Sequence, residues 1–315
     1  MNIPFMKLKY ISTIFSICLI SFSFYYTFNR HGDFSQSIDF SGGIKIELKL
    51  TEDISIEKLR AFYEQQNIDA QVQRIDDSSL PLAKIELSSA LEQNLVVKAK
   101  ENQQALSANG FSISAVDYLQ FLMIKEFQKD NQPIEFASID LVGPSIGAYL
   151  KKSAINVLFV TLGLIIVYVA FRFQFKFAIG AMLALLHDLF MTTGLIGLLQ
   201  IPLSTPVIAA LLTILGYSIN DTIVIFDRVR ENLKVNRGTA LETVVNTSIN
   251  ESLSRTIITS ITTLLAVISV YLVATESLKE MAYVLIIGII IGTYSSSFIA
   301  SPVLIFWDKL FNKSA

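Results

Sequence analysis

An acidic and an amide side chain interrupt one of the longest apolar stretches of this sequence. Asn220 and Asp221 lie within residues 205–226, where most neighbours are apolar or small. An ionisable group at membrane depth is costly, and such groups typically belong to ion or proton pathways. We therefore interpret both residues as candidates for a proton relay.

Arg255 is a candidate partner for Asp221. Both residues lie 17 positions from Gly238, a plausible turn between two adjacent helices, so an antiparallel hairpin would place them at the same depth. Two alternatives remain open: Glu251 could neutralise Arg255 along one helix, or Arg255 could extend to the membrane surface. In low-dielectric surroundings a carboxylic acid favours its neutral form, and a nearby cation favours the charged form. Movement of the arginine would therefore load or release a proton.

A second acidic residue lies in the middle of the apolar stretch 177–199. Asp188 follows His187 there, at a depth where an ionisable residue is a functional candidate by default. Both residues are added to the proposed relay. The alternative, a static polar contact between helices, remains open.

Gly288 and Gly292 form a G-x-x-x-G motif in the last apolar stretch. Small residues at this spacing allow two membrane helices to approach closely. The motif is compatible with helices that shift against each other and equally with static close packing.

The composition is that of a membrane protein. The chain has 315 residues, of which only 17% are charged, with a net charge of −2 and a mean hydropathy of +0.53. This charge balance does not suggest nucleic acid as a partner. Cys18 is the one cysteine, and His31 and His187 are the two histidines, so we expect neither a disulfide nor a metal site, and no bound cofactor.

Six segments are long and apolar enough to cross a membrane, which takes about 20 residues. They are residues 10–28, 153–171, 177–199, 205–226, 253–274 and 282–306. The first could instead be a cleaved signal peptide, but no small-x-small cleavage site follows it, which favours a retained anchor. The predicted fold is a polytopic α-helical membrane protein with six transmembrane helices and an α+β extracytoplasmic domain between helices 1 and 2.

Lysine and arginine in the short loops predict the orientation. Ten of them fall in segments that share one side with the N-terminus, whereas the two short loops of the opposite side hold only Lys279. By the positive-inside rule both termini are cytoplasmic. The predicted parts are a cytoplasmic N-terminus with helix 1 (1–28), a periplasmic domain (29–152), helices 2–6 (153–306) and a cytoplasmic tail (307–315).

The periplasmic segment has the patterns of an α+β domain. Alternating apolar residues predict strands, and helical spacing predicts the intervening helices. The predicted strands are 42–50, 69–75, 82–87 and 133–143, and the predicted helices are 55–67, 90–107 and 111–130.

Three short motifs indicate local geometry. DFSGG (39–43) and GPSIG (143–147) predict turns at Asp39, Gly42, Gly43, Gly143, Pro144 and Gly147. GPSIG also matches the G-x-S-x-G nucleophile elbow, but that interpretation needs a histidine within reach and is disfavoured just before a membrane span. TALE (239–242) is a possible capping box at the start of the fifth helix.

The motifs together resemble the SecF branch of the SecD/SecF family of bacterial protein-export proteins. They are IDFSGG, VGPSIG, IAALLTILGYSINDTIVIFDRVREN, NESLSRTIITSITTLL and GIIIGTYSSSFIA, in this order between residues 38 and 306. The resemblance implies half of a resistance–nodulation–division transporter, with SecD as the other half. It implies that the pair assists the SecYEG channel by acting on the unfolded preprotein with the proton-motive force.

In the family pattern the aspartate of SINDT and the arginine of LSRT belong to the proton path, and they match Asp221 and Arg255 here. Protons are the implied coupling ion, although sodium remains possible. Membrane lipids complete the expected partners. An exporter of lipids or small molecules is the alternative function, although such exporters usually carry both halves in one chain. An assembly factor that transports nothing is a third interpretation.

Overall fold

The computed structural model describes residues 3–51, 54–76, 81–128, 134–173, 175–236, 238–274 and 276–311. The chain forms two compact units. One consists of Met1–Ser35 with Ala154–Ala315, and the other of Gln36–Ser153. The sequence predicted boundaries at residues 28 and 152.

Six long apolar helices make up the first unit, as predicted, except that the first turns of α7 belong to the second. They meet the length and hydropathy requirements of membrane spans. The first five are α1 (Lys9–His31), α7 (Pro144–Arg172), α8 (Phe175–Leu198), α9 (Thr205–Val235) and α10 (Leu241–Val273). The sixth span, Leu278–Leu310, consists of α11 (Glu276–Ser295), a π-helical segment (Ser296–Ala300) and α12 (Ser301–Phe311).

Helix α9 continues past the apolar segment that ends at residue 226. Helix α10 begins at Leu241, before the apolar segment 253–274 and where the TALE motif predicted its start. Polar contacts between the two helices hold these extensions together. Asn232 on α9 donates a hydrogen bond to Ser248 Oγ on α10 over 3.0 Å. Arg228 Nε lies 2.6 Å from Glu251 Oε2. The hairpin is therefore longer than its hydrophobic part.

The predicted capping box at the start of α10 is not formed. The N-cap residue is Ala240, which supplies no side-chain hydrogen bond. Glu242, which would have to reach back to the helix start, pairs instead with Lys9 Nζ at 2.7 Å.

Glycines mark the closest helix contacts. A Cβ at Gly292 would lie 3.0 Å from Ser218 Cβ, and one at Gly288 would overlap Ile214, so α11 packs directly on α9. The G-x-x-x-G motif therefore serves close packing. On α8, a Cβ at Gly194 would overlap Ser23 of α1. Helix α1 thus packs as part of the helical unit.

The second unit is built on a four-stranded antiparallel sheet with strand order β2-β3-β1-β4. Its strands are β1 (Gly43–Lys49), β2 (Ala70–Asp76), β3 (Pro81–Ser88) and β4 (Phe136–Val142). Its helices are α2 (Ile38–Ser41), α3 (Ile56–Gln65), α4 (Ser89–Glu101), α5 (Gln103–Ala108) and α6 (Ala115–Phe127).

One face of this sheet supports the core, and the other is charged. The apolar face packs against α3, α4 and α6, with Ile46, Ile85 and Leu59 fully buried. On the other face, register pairs Lys45 with Glu86 and Glu47 with Lys84. Because opposite charges face each other, these side chains form a mutually neutralising surface.

Two predicted helices of this unit differ from those observed. The segment 90–107 divides at Asn102 into α4 and α5. Helix α6 begins at Ala115, because Ser114 caps it by accepting a hydrogen bond from the Asp117 amide over 3.0 Å. The predicted end of this helix and the start of the last strand, residues 129–133, lie outside the described residues.

The two glycine motifs pack on each other at the ends of this unit. Gly42 and Gly43 have φ angles of +71° and +141°, which residues with a Cβ rarely adopt. A Cβ at Gly42 would lie 3.1 Å from Pro144 Cα, and one at Gly147 would lie 3.0 Å from the Phe40 carbonyl oxygen. Gly143 separates β4 from Pro144, the first residue of α7, and Asp39 lies in the first turn of α2.

Candidate functional site

The carboxylate of Asp188 is the centre of a buried polar network in the helical unit. Asp188 is 0% exposed. His187 Nδ1 lies 2.9 Å from Asp188 Oδ1. Ser295 Oγ on α11 donates to Oδ2 over 2.8 Å, and Ser218 Oγ on α9 donates to the same oxygen. One carboxylate therefore joins three spans.

The second ring nitrogen of His187 makes no hydrogen bond to the described residues. This nitrogen, Nε2, is buried. The ring lies 6.1 Å from that of Tyr294, centroid to centroid. Tyr294 in turn donates to the Ser12 carbonyl over 2.8 Å and lies 3.1 Å from Ser16 Oγ. Polar groups thus continue from Asp188 through α11 to α1.

The sixth span changes its helical form at this network. The π-helical segment begins at Ser296, one residue after the serine that binds Asp188. Ser301 Oγ donates to the Ser296 carbonyl over 3.0 Å, which satisfies part of the altered backbone. π-Helical segments are rare in proteins, and those that occur are often found at functional sites. The serine run YSSS was the only local sign of this feature in the sequence.

Asp221 lies on α9, three residues after Ser218. It is 3% exposed, and its Oδ2 is buried without a hydrogen-bond partner in the described part of the chain. The Thr256 hydroxyl on α10 is also buried and has no hydrogen-bond partner among the described residues. Ser218, which donates to Asp188, therefore lies about one helical turn before Asp221 on α9. Uncompensated buried carboxylates are costly, which makes Asp221 a functional candidate.

Asp221 and Arg255 share one depth in the hairpin. Along the hairpin, the contact of Tyr217 with Ser260 lies on one side of this pair, and the contact of Arg228 with Glu251 lies on the other. Arg255 is nevertheless exposed, and it forms no ion pair among the described residues. Its guanidinium is close enough for electrostatic attraction to Asp221.

The alternative partner of Arg255 is already engaged. Glu251 accepts hydrogen bonds from Arg228 Nε over 2.6 Å and from Asn232 Nδ2 over 2.7 Å. Neither pairing considered for Arg255 is therefore formed as a direct ion pair.

Asn220 points away from the network and is exposed. Thr213 and Gly216 are exposed at helical spacing before it on α9, and Arg255 and Thr262 are exposed on α10. These five residues define an exposed polar stripe on the hairpin. The Thr213 and Thr262 hydroxyls donate to the backbone of their own helices. Because the stripe lies within membrane spans, contact with lipid would leave the Asn220 amide and the Arg255 guanidinium unsatisfied.

Asn246 and Asn250 bind the N-terminal segment. The Ile3 amide donates to Asn250 Oδ1 over 2.8 Å, and Asn250 Nδ2 donates to the Ile3 carbonyl over 2.9 Å. The Met6 amide donates to Asn246 Oδ1 over 3.2 Å. These two side chains therefore hold residues 3–6 against α10.

No group of three or more histidine, cysteine, aspartate or glutamate side chains suited to a metal ion occurs among the described residues. The buried network, with Asp221 about one helical turn from Ser218 on α9, has elements of proton exchange: two carboxylates, serine hydroxyls, and an imidazole nitrogen that has no partner among the described residues. It lies where α8, α9 and α11 meet.

Residues 123–310 match the family described as protein export membrane protein SecD/SecF, C-terminal. The chain is 35% identical over 312 residues to protein translocase subunit SecF of Thermodesulfovibrio yellowstonii, covering 98% of this chain and 95% of that protein. It is 34% identical to SecF of Rickettsia conorii over 99% of this chain and 94% of that protein.

The fold is similar to a solved structure, the crystal structure of SecDF, a translocon-associated membrane protein from Thermus thermophilus. The TM-score is 0.80 at 32% identity, covering 98% of this chain. The chain spans 39% of the length of that protein. A second structure of SecDF, in its super-membrane-facing form, gives a TM-score of 0.67.

Proposed function

Because the chain belongs to the SecD/SecF family of protein export membrane proteins, we propose that it acts with SecD at the SecYEG channel. There it uses the proton-motive force to drive or complete translocation of unfolded preproteins. The chain is a multi-pass inner-membrane protein with an accessory role in Sec protein export. The exporter of lipids or small molecules is not favoured, since the relatives are named as protein translocase subunits.

The unpartnered carboxylate of Asp221 is the observation that supports a proton relay. It is buried, it lacks a hydrogen-bond donor in the described chain, and Arg255 lies at its depth without a direct ion pair. Approach of the guanidinium favours the charged carboxylate, and its withdrawal favours the protonated form. Asp188, His187 and the intervening Ser218 extend this route between α8 and α9.

The membrane potential supplies enough energy for such a relay. One charge that crosses about 100 mV releases about 2.3 kcal/mol. A few protons in each cycle are sufficient to bias the movement of an extended polypeptide. Sodium remains the alternative coupling ion, and dependence of export on one ion gradient or the other distinguishes them.

The exposed polar stripe supports a six-span partner. Arg255 and Asn220 would be desolvated without compensation against lipid, whereas a partner helix with polar residues could satisfy both. SecD is the partner that the family provides. Purification in mild detergent should recover a six-span companion, and an isolated chain that is fully active would contradict this proposal.

The outer unit is proposed to face the periplasm and to hold the preprotein. Lysine and arginine outside the spans favour cytoplasmic termini. An extended peptide can add to the free edge of a sheet, and β2 and β4 are the edge strands here. Arg60 donates to the Val72 carbonyl over 2.9 Å, so the edge at β2 is partly satisfied and β4 is the better candidate.

The relay is tested by Asp221→Asn in cells that lack the native chain. We expect loss of export that depends on the proton-motive force, with normal membrane insertion and partner binding. Asp227→Asn is the matched control on the same helix, because Asp227 pairs with Arg172 in an exposed position. Normal export by the Asp221→Asn variant would remove the relay from the proposal.

A further inference from the structure

A basic cavity lies at the end of the helical unit where α7 meets α8. Its volume is about 640 Å³. Four cationic side chains line it, two from the α7–α8 connection and two from the end of α9. They are Arg172, Lys176, Arg230 and Lys234.

Most of the positive charge in this cavity is uncompensated. Arg172 is bound to Asp227, with Nη2 3.2 Å from Oδ2. The other three cations form no ion pair in the part of the chain that the structure describes. Lys176 and Arg230 are half-buried nonetheless. Half-buried cations without a carboxylate indicate that an anion completes the site.

The cavity also has an apolar and aromatic lining. Phe173 and Phe177 are buried beside it. Lys176 Nζ lies 5.4 Å from the centre of the Phe177 ring. Helix α8 begins at Phe175, so the amide groups of its first turn have no intrahelical acceptor and can contribute to anion binding.

The surroundings of the cavity are those of a membrane surface. Phe171 and Phe175, on either side of the α7–α8 connection, are 90% and 69% exposed. The Phe175 ring packs edge-on against Trp307, with centroids 5.8 Å apart. Tryptophan concentrates at the membrane–water interface, where its ring lies at headgroup level. The cations therefore lie at the level of the lipid phosphates.

We propose that this cavity binds the phosphate of an anionic phospholipid from the surrounding membrane. The three uncompensated cations neutralise the headgroup, and the exposed phenylalanines contact its acyl chains. Basic pockets between membrane helices bind anionic headgroups in the same way. The site is separate from the proposed proton relay, since none of its residues belongs to the buried network around Asp188 and Asp221.

The test measures binding of phosphatidylglycerol and phosphatidylcholine to the purified full-length chain, by native mass spectrometry or by fluorescent lipid titration. We expect a preference for phosphatidylglycerol. The double variant Lys176→Gln/Arg230→Gln should raise its Kd roughly 25-fold, because each cation near an anionic surface accounts for about fivefold. Lys309→Gln is the matched control, since Lys309 is exposed and does not line the cavity.

Three further outcomes decide the proposal. The charge-preserving variant Lys176→Arg/Arg230→Lys should retain the preference, which separates loss of charge from loss of folding. An unchanged Kd in the Lys176→Gln/Arg230→Gln variant would overturn the site. Inorganic phosphate at millimolar concentration should leave the bound lipid in place. Displacement of the lipid by phosphate would assign the cavity to a free phosphate from solution and overturn the lipid assignment.

Discussion

Ser295 on α11 donates a hydrogen bond of 2.8 Å to Asp188 on α8, one residue before the sixth span becomes π-helical. The carboxylate thus ties the third span to the point where the last span changes its helical form. Loss of this bond would weaken the contact between α8 and the last span, because an unpaired buried carboxyl group is costly.

Ser295→Ala should destabilise the helical unit by about 1.5–3 kcal/mol, the range for hydrogen bonds to charged groups. Thermal unfolding of the purified protein in detergent measures this loss. Ser297→Ala is the control, because Ser297 is equally buried and its side chain makes no hydrogen bond within the described chain. An equal loss of stability in both variants would show that the hydrogen bond to Asp188 does not stabilise the helical unit.

Gly288→Ala should destabilise the contact between α9 and α11 by about 1–3 kcal/mol, because overpacking forces neighbouring side chains out of position. The added methyl group would overlap Ile214. Gly216→Ala on α9 is the same substitution in open space. It should be neutral or gain about 0.5–1 kcal/mol, since glycine weakens a helix interior.

The two glycine variants are compared by the temperature at which the protein loses its monodisperse peak in gel filtration. The predicted order is Gly288→Ala below the wild type and Gly216→Ala at or above it. Equal midpoints for the two variants would mean that the close approach at Gly288 contributes nothing to stability.

Asn250→Ala should release the N-terminal segment from α10. Asn250 both accepts from the Ile3 amide and donates to its carbonyl, so one substitution removes two hydrogen bonds. Hydrogen–deuterium exchange of residues 3–7 should become faster. Ser254→Ala, one turn further along α10 at an exposed position, should leave that exchange unchanged. Slow exchange in the Asn250→Ala variant would mean that the ion pair between Lys9 and Glu242 is enough to hold the N-terminal segment on α10.

Tyr63 should keep its proton at alkaline pH while the second unit, Gln36–Ser153, is folded. Burial raises the pKa of Tyr63, and its hydroxyl donates to Met123 Sδ over 3.2 Å. In the unfolded chain it ionises near its ordinary pKa of about 10. Its contribution to stability is complete below that pH and is lost as pH rises through the folded-state pKa, because only the unfolded state gives up the proton.

Tyrosinate absorbance measures this difference. Above about pH 10, the folded wild type and its Tyr63→Phe variant should show the same absorbance, and denaturant should reveal one additional tyrosinate in the wild type. The variant should also lose less stability on alkaline titration. Ionisation of Tyr63 in the folded protein near its ordinary pKa would contradict the prediction.

Periodicity and hydropathy predicted most of the architecture. The six spans, the four strands and the helix over 55–67 follow from apolar runs and alternation, which are local patterns. The equal depth of Asp221 and Arg255 was also predictable, because it depends only on counting from the turn. The break between α4 and α5 at Asn102 was not predictable, since the helical spacing of apolar residues continues through it.

The buried network itself was not predictable from spacing. Asp188 receives its hydrogen bonds from Ser218 and Ser295, which are distant in sequence and meet it only through helix packing. The capping box failed because Lys9, far away in the chain, binds Glu242. The exposure of Arg255 has a related cause. Its candidate partner on the same helix, Glu251, instead accepts hydrogen bonds from Arg228 and Asn232 on α9.

The first and last turns of the second unit meet through backbone atoms, at Gly42 with Pro144 and at Phe40 with Gly147. A module whose two ends adjoin can be spliced into a connection between two helices, or removed from it, without stretching that connection. A short peptide in place of the excised residues would leave both flanking helices intact. The corresponding module of a relative could be grafted at the same junction, so that chimaeras would assign each step of export to one half of the protein.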